Sequence, residues 1–224
     1  MNHDLSNFKC LSGSALKVIA VISMTIDHVA LYVMAGHMGM QDQWLYDALR
    51  GVGRLAFPIF AFLAIEGFCH TKNILRYMTV LLIFAFFSEI PWFLLGQCDS
   101  HNVLFTLLLG LIAVYLTDRF FKGSWLLTVP PIIMSLIATW INTDYSWHGI
   151  GLMVVFFLFR DKPVFNLLFG FPFLIEYGVI GTFLGVLSCL CYNGNRGFIR
   201  GKWQKYCFYL YYPLHLMIIC LFLD

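Results

Sequence analysis

The stretch SALKVIAVISMTIDHVALYVMAG, Ser14–Gly36, decides the fold class. It is apolar over about 20 residues, the length a helix needs to cross a hydrocarbon core. It is longer than the apolar part of a secretory signal and carries Asp27 and His28 near its far end, after a polar opening at residues 1–13. The expectation is a first membrane helix that is kept, with no cleavable signal peptide. Similar runs follow near 51–69, 75–95, 103–118, 124–141, 148–159 and 205–223. The segment 163–191 is apolar but broken by Gly170, Pro172, Glu176 and Gly178, and it reads as a tight hairpin of two short spans. The pattern predicts an all-α, polytopic membrane bundle of nine transmembrane helices, with eight as the competing count.

The whole chain fits this reading. Of its 224 residues, 60% are hydrophobic, 12% are charged and 23 are Phe. An ordinary soluble domain holds roughly 45–50% apolar and about 25% charged residues. That balance excludes a secreted disulfide scaffold, a disordered chain and a nucleic-acid module. The net charge of +2 does not point to a polyanion partner. Seven cysteines, an odd number lying mostly in or beside apolar runs, argue against a disulfide framework. No Cys/His spacing suggests a structural metal. No repeat or linker divides residues 1–224, so one integral membrane domain is expected.

Lys and Arg cluster at His70–Arg76, Asp118–Lys122, Arg160–Lys162 and Arg196–Lys205. The alternate connections, Gly36–Asp47, Gly96–Asn102 and Asn142–Trp147, contain neither. By the positive-inside rule the basic loops and the N-terminus face the cytoplasm. For the last two basic loops to share a side, an even number of spans must separate them, which favours the hairpin.

Ionisable residues inside a bilayer are expensive and mark candidate sites. Lys17 and His28 stand eleven positions apart on the first helix. At 100° per residue they share one face, roughly 16 Å apart along the axis. A cation at the inner surface and an imidazole deeper in suit a long anionic donor entering from the cytosol. The competing reading has Lys17 snorkel to the headgroups and His28 bond a neighbouring carbonyl. Asp27 is adjacent to His28, so the two do not face each other. Asp27 is expected to pair across helices with Arg54. Glu66 and His70 are one turn apart and suit an i,i+4 pair. Glu89 precedes Ile90-Pro91, where the helix is expected to break or kink, and Asn102 and Thr106 would face it. Together with Arg54 and Glu176 these residues form a candidate outer cluster, against a simple capping role. His215 follows Pro213, where it either bonds a freed carbonyl or lines a cavity.

Several ordered motifs resemble the TraX-like membrane acetyltransferases. They are Ser14-Ala15-Leu16-Lys17 leading to Ile26-Asp27-His28, Gly53-Arg54-Leu55-Ala56-Phe57-Pro58, Glu66-Gly67-Phe68-Cys69-His70, Ser88-Glu89-Ile90-Pro91, Asn102-Val103-Leu104-Phe105-Thr106, Tyr192-Asn193-Gly194 and Tyr212-Pro213-Leu214-His215. The spacing from Lys17 to His28 is also similar to the basic-x10-His pattern of acyltransferase-3 enzymes, which implies a catalytic role for His28. The resemblance implies a multi-pass protein of the bacterial inner membrane, an acetyl-CoA co-substrate and no metal. Its acceptor would be an amine or hydroxyl on a pilin-like protein of the kind linked to conjugation, a glycan or a lipid. In that scheme His28 and Asp27 are catalytic, and Lys17, Arg54, Glu66, Glu89, Asn102 and His215 bind substrate. An acetyl-His intermediate would let donor and acceptor bind on opposite sides. A proton-coupled small-molecule transporter and a membrane scaffold are the rival readings.

Overall fold

Ser12 caps the opening apolar run by accepting a hydrogen bond from the Ala15 amide, and helix α1, Gly13–His28, follows. The computed structural model describes residues 9–35, 42–121, 123–199 and 201–223. The polar opening at residues 1–8, the first half of the Gly36–Asp47 connection, Lys122 and Arg200 lie outside the described residues. Past His28 the helix continues in π form over Val29–Met34.

The remaining helices are α2 Gln43–Gly53, α3 Ala56–His70, α4 Ile74–Leu94, α5 Val103–Leu116, α6 Val129–Trp140, α7 Ser146–Leu158, α8 Pro163–Gly170, α9 Val179–Leu190 and α10 Lys202–Leu223. A π segment extends α5 to Phe121, and 3-10 turns precede α6 and follow α8. Among the described residues there is no β-strand. Among the described residues, five helical stretches are long and apolar enough to cross a membrane: Gly13–Met34, Gln43–His70, Ile74–Leu94, Val103–Phe121 and Tyr206–Leu223. Four shorter apolar ones are Trp125–Trp140, Ser146–Leu158, Pro163–Tyr177 and Val179–Leu190. Each apolar run in the sequence is therefore helical, and the protein is an all-α multi-pass membrane bundle. The 163–191 segment does form two helical arms, which reverse at Gly178 where φ is +130°.

Two local readings change. The second helical stretch begins at Gln43 rather than near residue 51, because α2 is amphipathic. Trp44 on it is 70% exposed while Gly53 at its end is buried, a pattern that a test for continuous hydrophobicity passes over. Helix α4 runs through Pro91 and ends at Leu94, so the proline does not terminate it.

α3 sits at the centre, packed on α1, α5, α7 and α9. Leu16, Ile59, Ile65, Leu111, Met153, Phe156 and Leu216 are sealed within the bundle. Lipid is as apolar as these side chains, so close packing rather than water exclusion holds such helices together. Small residues permit the tightest approach. A Cβ placed on Gly181 of α9 would overlap the Gly51 carbonyl of α2, and one on Gly53 would overlap the Asp27 side chain.

The chain alternates between two ends. At the basic end the 191–196 loop bonds the start of α1 through Leu11 N to Cys191 O at 2.9 Å and Ser14 N to Arg196 O at 3.0 Å. At the other end the 98–102 and 142–146 loops are tied by His101 N to Asn142 O at 3.0 Å and Asp144 N to His101 O at 2.8 Å.

Candidate functional site: two cavities and a histidine pair

Two cavities lie end to end along α1, α3, α5 and α10. The one at the basic end encloses about 560 Å³ and the outer one about 390 Å³. They share four wall residues, Met24, Phe60, Val103 and Tyr212, one from each of those helices. These side chains form a septum.

Lys17, His70, Lys72 and Arg196 line the basic-end cavity. Glu66 lines it as well. Its Oε1 accepts a 2.8 Å hydrogen bond from Arg160 Nε, so the wall keeps an excess of cations. That carboxylate pushes the Arg160 guanidinium further up. The expected Glu66–His70 pair is secondary. His70 Nδ1 lies 2.8 Å from the Glu66 backbone oxygen and 3.7 Å from its carboxylate. The i,i+4 spacing brings the two together, but Arg160, just past the end of the neighbouring α7, takes the carboxylate.

His28 lines the outer cavity, with Asp27, Tyr32, Arg50, Arg54 and Asp144. Asp27 pairs with Arg50 at 2.7 Å, which corrects the expected pairing with Arg54. Both arginines stand at the α2–α3 junction one turn apart. Ser23 fixes this junction by donating to Val52 O at 2.7 Å, and Gly53 lets Asp27 approach. Arg54 instead reaches the Tyr145 hydroxyl at 3.4 Å. Tyr145 stacks between Phe57 and Tyr177, with centroids 3.8 Å and 4.5 Å away. Asn142, Tyr145 and Ser146 hold left-handed φ values of 52°, 61° and 40°. Such backbone is strained in non-glycine residues and gathers at functional sites. Burial pushes the Asp144 carboxyl up to about 6, against the pull of Arg54. Asp27 Oδ1, Tyr32 Oη, Thr143 Oγ1 and Tyr212 Oη are buried without a well-formed hydrogen bond among the described residues. All four belong to this cavity's wall. Buried polar atoms are normally paired, so their concentration here marks a poorly satisfied part of the bundle.

His215 lines neither cavity; it stands behind His28. His28 Nδ1 and His215 Nε2 are 2.7 Å apart, with the two rings within 3° of parallel. His215 Nδ1 in turn lies 2.9 Å from the Tyr211 carbonyl oxygen. Pro213 leaves the Tyr209 carbonyl without its i−4 donor, so the carbonyl that His215 bonds is a different one. Thr25 Oγ1 and Tyr211 Oη, 2.7 Å apart, join the same faces of α1 and α10 one turn away.

The other expected outer-cluster residues are elsewhere. Glu89 Oε1 accepts from the Asn102 amide at 3.0 Å and from its side-chain nitrogen, and Oε2 lies 2.9 Å from His101 Nδ1. Asn102 also caps α5. Both are buried and line neither cavity, so the structure places them at a helix junction. Thr106 bonds the Asp144 carbonyl rather than Glu89. Glu176 is exposed beside His148. Sequence reasoning missed Arg50 and Tyr212 as wall residues. It gave the cations of the basic loops near Lys17 a part in holding the donor's phosphates but did not single out Lys72 and Arg196, because nothing in a loop's composition says which of its residues fold over a cavity.

Comparison with known proteins agrees with the motifs. Residues 12–223 match the model of the TraX protein family. A probable fimbrial assembly protein FimC, serogroup H1, of Dichelobacter nodosus is 29% identical over 98% of this chain and 96% of its own length. An uncharacterized protein of Rickettsia prowazekii (strain Madrid E) is 30% identical over 66% of this chain and 55% of its own. No solved structure matches. With nearly its whole length matched, the chain belongs to the TraX protein family.

Proposed function

We propose that the protein is an integral membrane acetyltransferase of the bacterial inner membrane, which moves an acetyl group from acetyl-CoA to an amine or hydroxyl acceptor. One observation carries the reading: a cation-lined cavity and a histidine-lined cavity meet at a septum of four side chains. Acetyl-CoA has phosphates at one end and a thioester at the other. The basic end faces the cytoplasm, where the donor is made. Lys17, Lys72 and Arg196 attract its phosphates. The thioester reaches the septum, where Met24, Phe60 and Tyr212 shield it from water. His28 takes the acceptor's proton as the acceptor attacks the thioester carbonyl carbon. The carbon–sulfur bond then breaks, and the proton on His28 passes to the departing thiolate. The products are acetylated acceptor and CoA.

The outer cavity receives the acceptor. Asp27 and Asp144, opposite Arg50 and Arg54, offer both acceptors and donors of hydrogen bonds. The relative named for fimbrial assembly makes a pilin-like protein the first acceptor to try, ahead of a glycan or lipid.

The test uses purified protein in lipid nanodiscs with radiolabelled acetyl-CoA and hydroxylamine as a small nucleophile. The parent transfers acetyl groups, and His28→Ala loses about 10²–10⁴-fold in rate, the range of general base catalysis. Equal rates would overturn the reading. Cavities parted by a thin septum also suit a gated transport path. Flux of a solute into sealed vesicles, without CoA release, would favour that alternative.

A further inference from the structure

We infer that His215 is a positioning residue that sets the tautomer of His28 and leaves His28 Nε2 as the proton acceptor. The inference rests on the proposed role of His28 as base and adds the device that prepares it.

The argument begins at a group whose role is fixed. The Tyr211 carbonyl oxygen only accepts hydrogen bonds, so the 2.9 Å contact puts a proton on His215 Nδ1. In a neutral ring the other nitrogen is then a bare acceptor. His215 Nε2 stands 2.7 Å from His28 Nδ1, so the shared proton resides on His28 Nδ1. The remaining nitrogen of His28, Nε2, is left with its lone pair. It has no partner among the described residues, and His28 lines the outer cavity. A proton taken there from the acceptor places a positive charge on His28. Its Nδ1–H bond to His215 then becomes charge-assisted and stronger. His215 thus contributes most as charge develops, when it matters to rate. The near-parallel rings, the burial of His215 and the Thr25–Tyr211 contact one turn away hold the relay in register.

A free imidazole favours the proton on Nε2, the form that cannot act as base at that atom. Without its partner His28 reverts toward that form. The experiment is solid-state NMR of protein labelled with 15N-histidine in lipid, read beside kcat and KM for acetyl-CoA with hydroxylamine as nucleophile. In the parent, His28 shows a protonated Nδ1 and a bare Nε2. In His215→Ala the Nε2-protonated form of His28 appears, and kcat falls about 10²-fold or more, as for other catalytic bases that lose their setting. KM stays within about threefold, since the donor cavity is untouched. His215→Gln keeps an oxygen acceptor near the place of Nε2. It restores the parent tautomer and brings kcat to within about tenfold of the parent, guarding against a merely misfolded Ala variant. An unchanged His28 tautomer or an unchanged kcat in His215→Ala overturns the inference. If the parent itself transfers no acetyl group, the enzyme reading fails while the NMR comparison still decides the tautomer claim.

Discussion

The two cavities share a wall but treat their polar groups in opposite ways. At the basic end the buried acid, Glu66, is neutralised by Arg160, and cations are left facing the space. In the outer cavity an ion pair, a second arginine and a second acid stand together, and four buried oxygens lack well-formed bonds. A surface with an excess of one charge attracts a ligand without much shape. A surface that carries acids and arginines together discriminates, because a ligand that leaves one of them without a partner loses that interaction. On the proposed function, the basic end captures the donor and the outer end carries the chemistry and selects the acceptor.

That division has consequences that separate the two. The largest effect is expected at His28. In His28→Ala the transfer rate falls about 10²–10⁴-fold, yet acetyl-CoA still binds with parental affinity by isothermal titration. A parallel loss of donor binding would break the division. Next comes Gly53→Ala, whose added methyl meets the Asp27 side chain. It should displace the Asp27–Arg50 pair and lower stability by about 1–3 kcal/mol, as overpacking does. A lower thermal midpoint in nanodiscs, with donor affinity kept, is the expected result.

Lys17→Ala and Arg196→Ala should each weaken acetyl-CoA binding about tenfold, with the loss shrinking at high salt. Single-turnover rates at saturating donor should stay at the parental value. Unchanged binding would return Lys17 to the role of a snorkelling anchor.

The smallest effect concerns Asp144 and pH. Its carboxyl in the folded protein is held up to about 6, above the ordinary value of about 3.9. The folded state therefore keeps this proton more firmly than the unfolded one. Stability falls as pH rises from about 4 to about 6 and is level above that. Asp144→Asn should remove this slope from thermal midpoints measured at several pH values. A slope that persists in the variant would assign it to another group.

Much of this was legible from the chain and some was not. Hydropathy located the apolar helical runs, because a bilayer demands length and apolarity that few soluble helices combine. It passed over the start of α2, whose exposed Trp44 and polar neighbours dilute the signal. Periodicity put Lys17 and His28 on one face, and each does line a cavity. It did not show that two cavities exist, since a septum takes one residue from each of four helices. The choice of Arg50 over Arg54 as partner of Asp27 lay beyond it as well. The two arginines are one turn apart, and the pairing follows from tertiary contacts: Ser23 and Gly53 bring Asp27 against the junction, and Arg54 turns to Tyr145.

By itself the sequence determined the apolar helical runs, the alternation of basic loops with loops free of Lys and Arg, and the shared face of Lys17 and His28, all local or periodic properties of the chain. Only the tertiary structure decided that His215, 187 positions away, stands behind His28. The same holds for Glu89 and Asn102, which pair with each other rather than with a ligand site. Distance along the chain carries no information about which helix faces which; in a bilayer that is settled by where small residues let backbones approach and buried polar groups find one another.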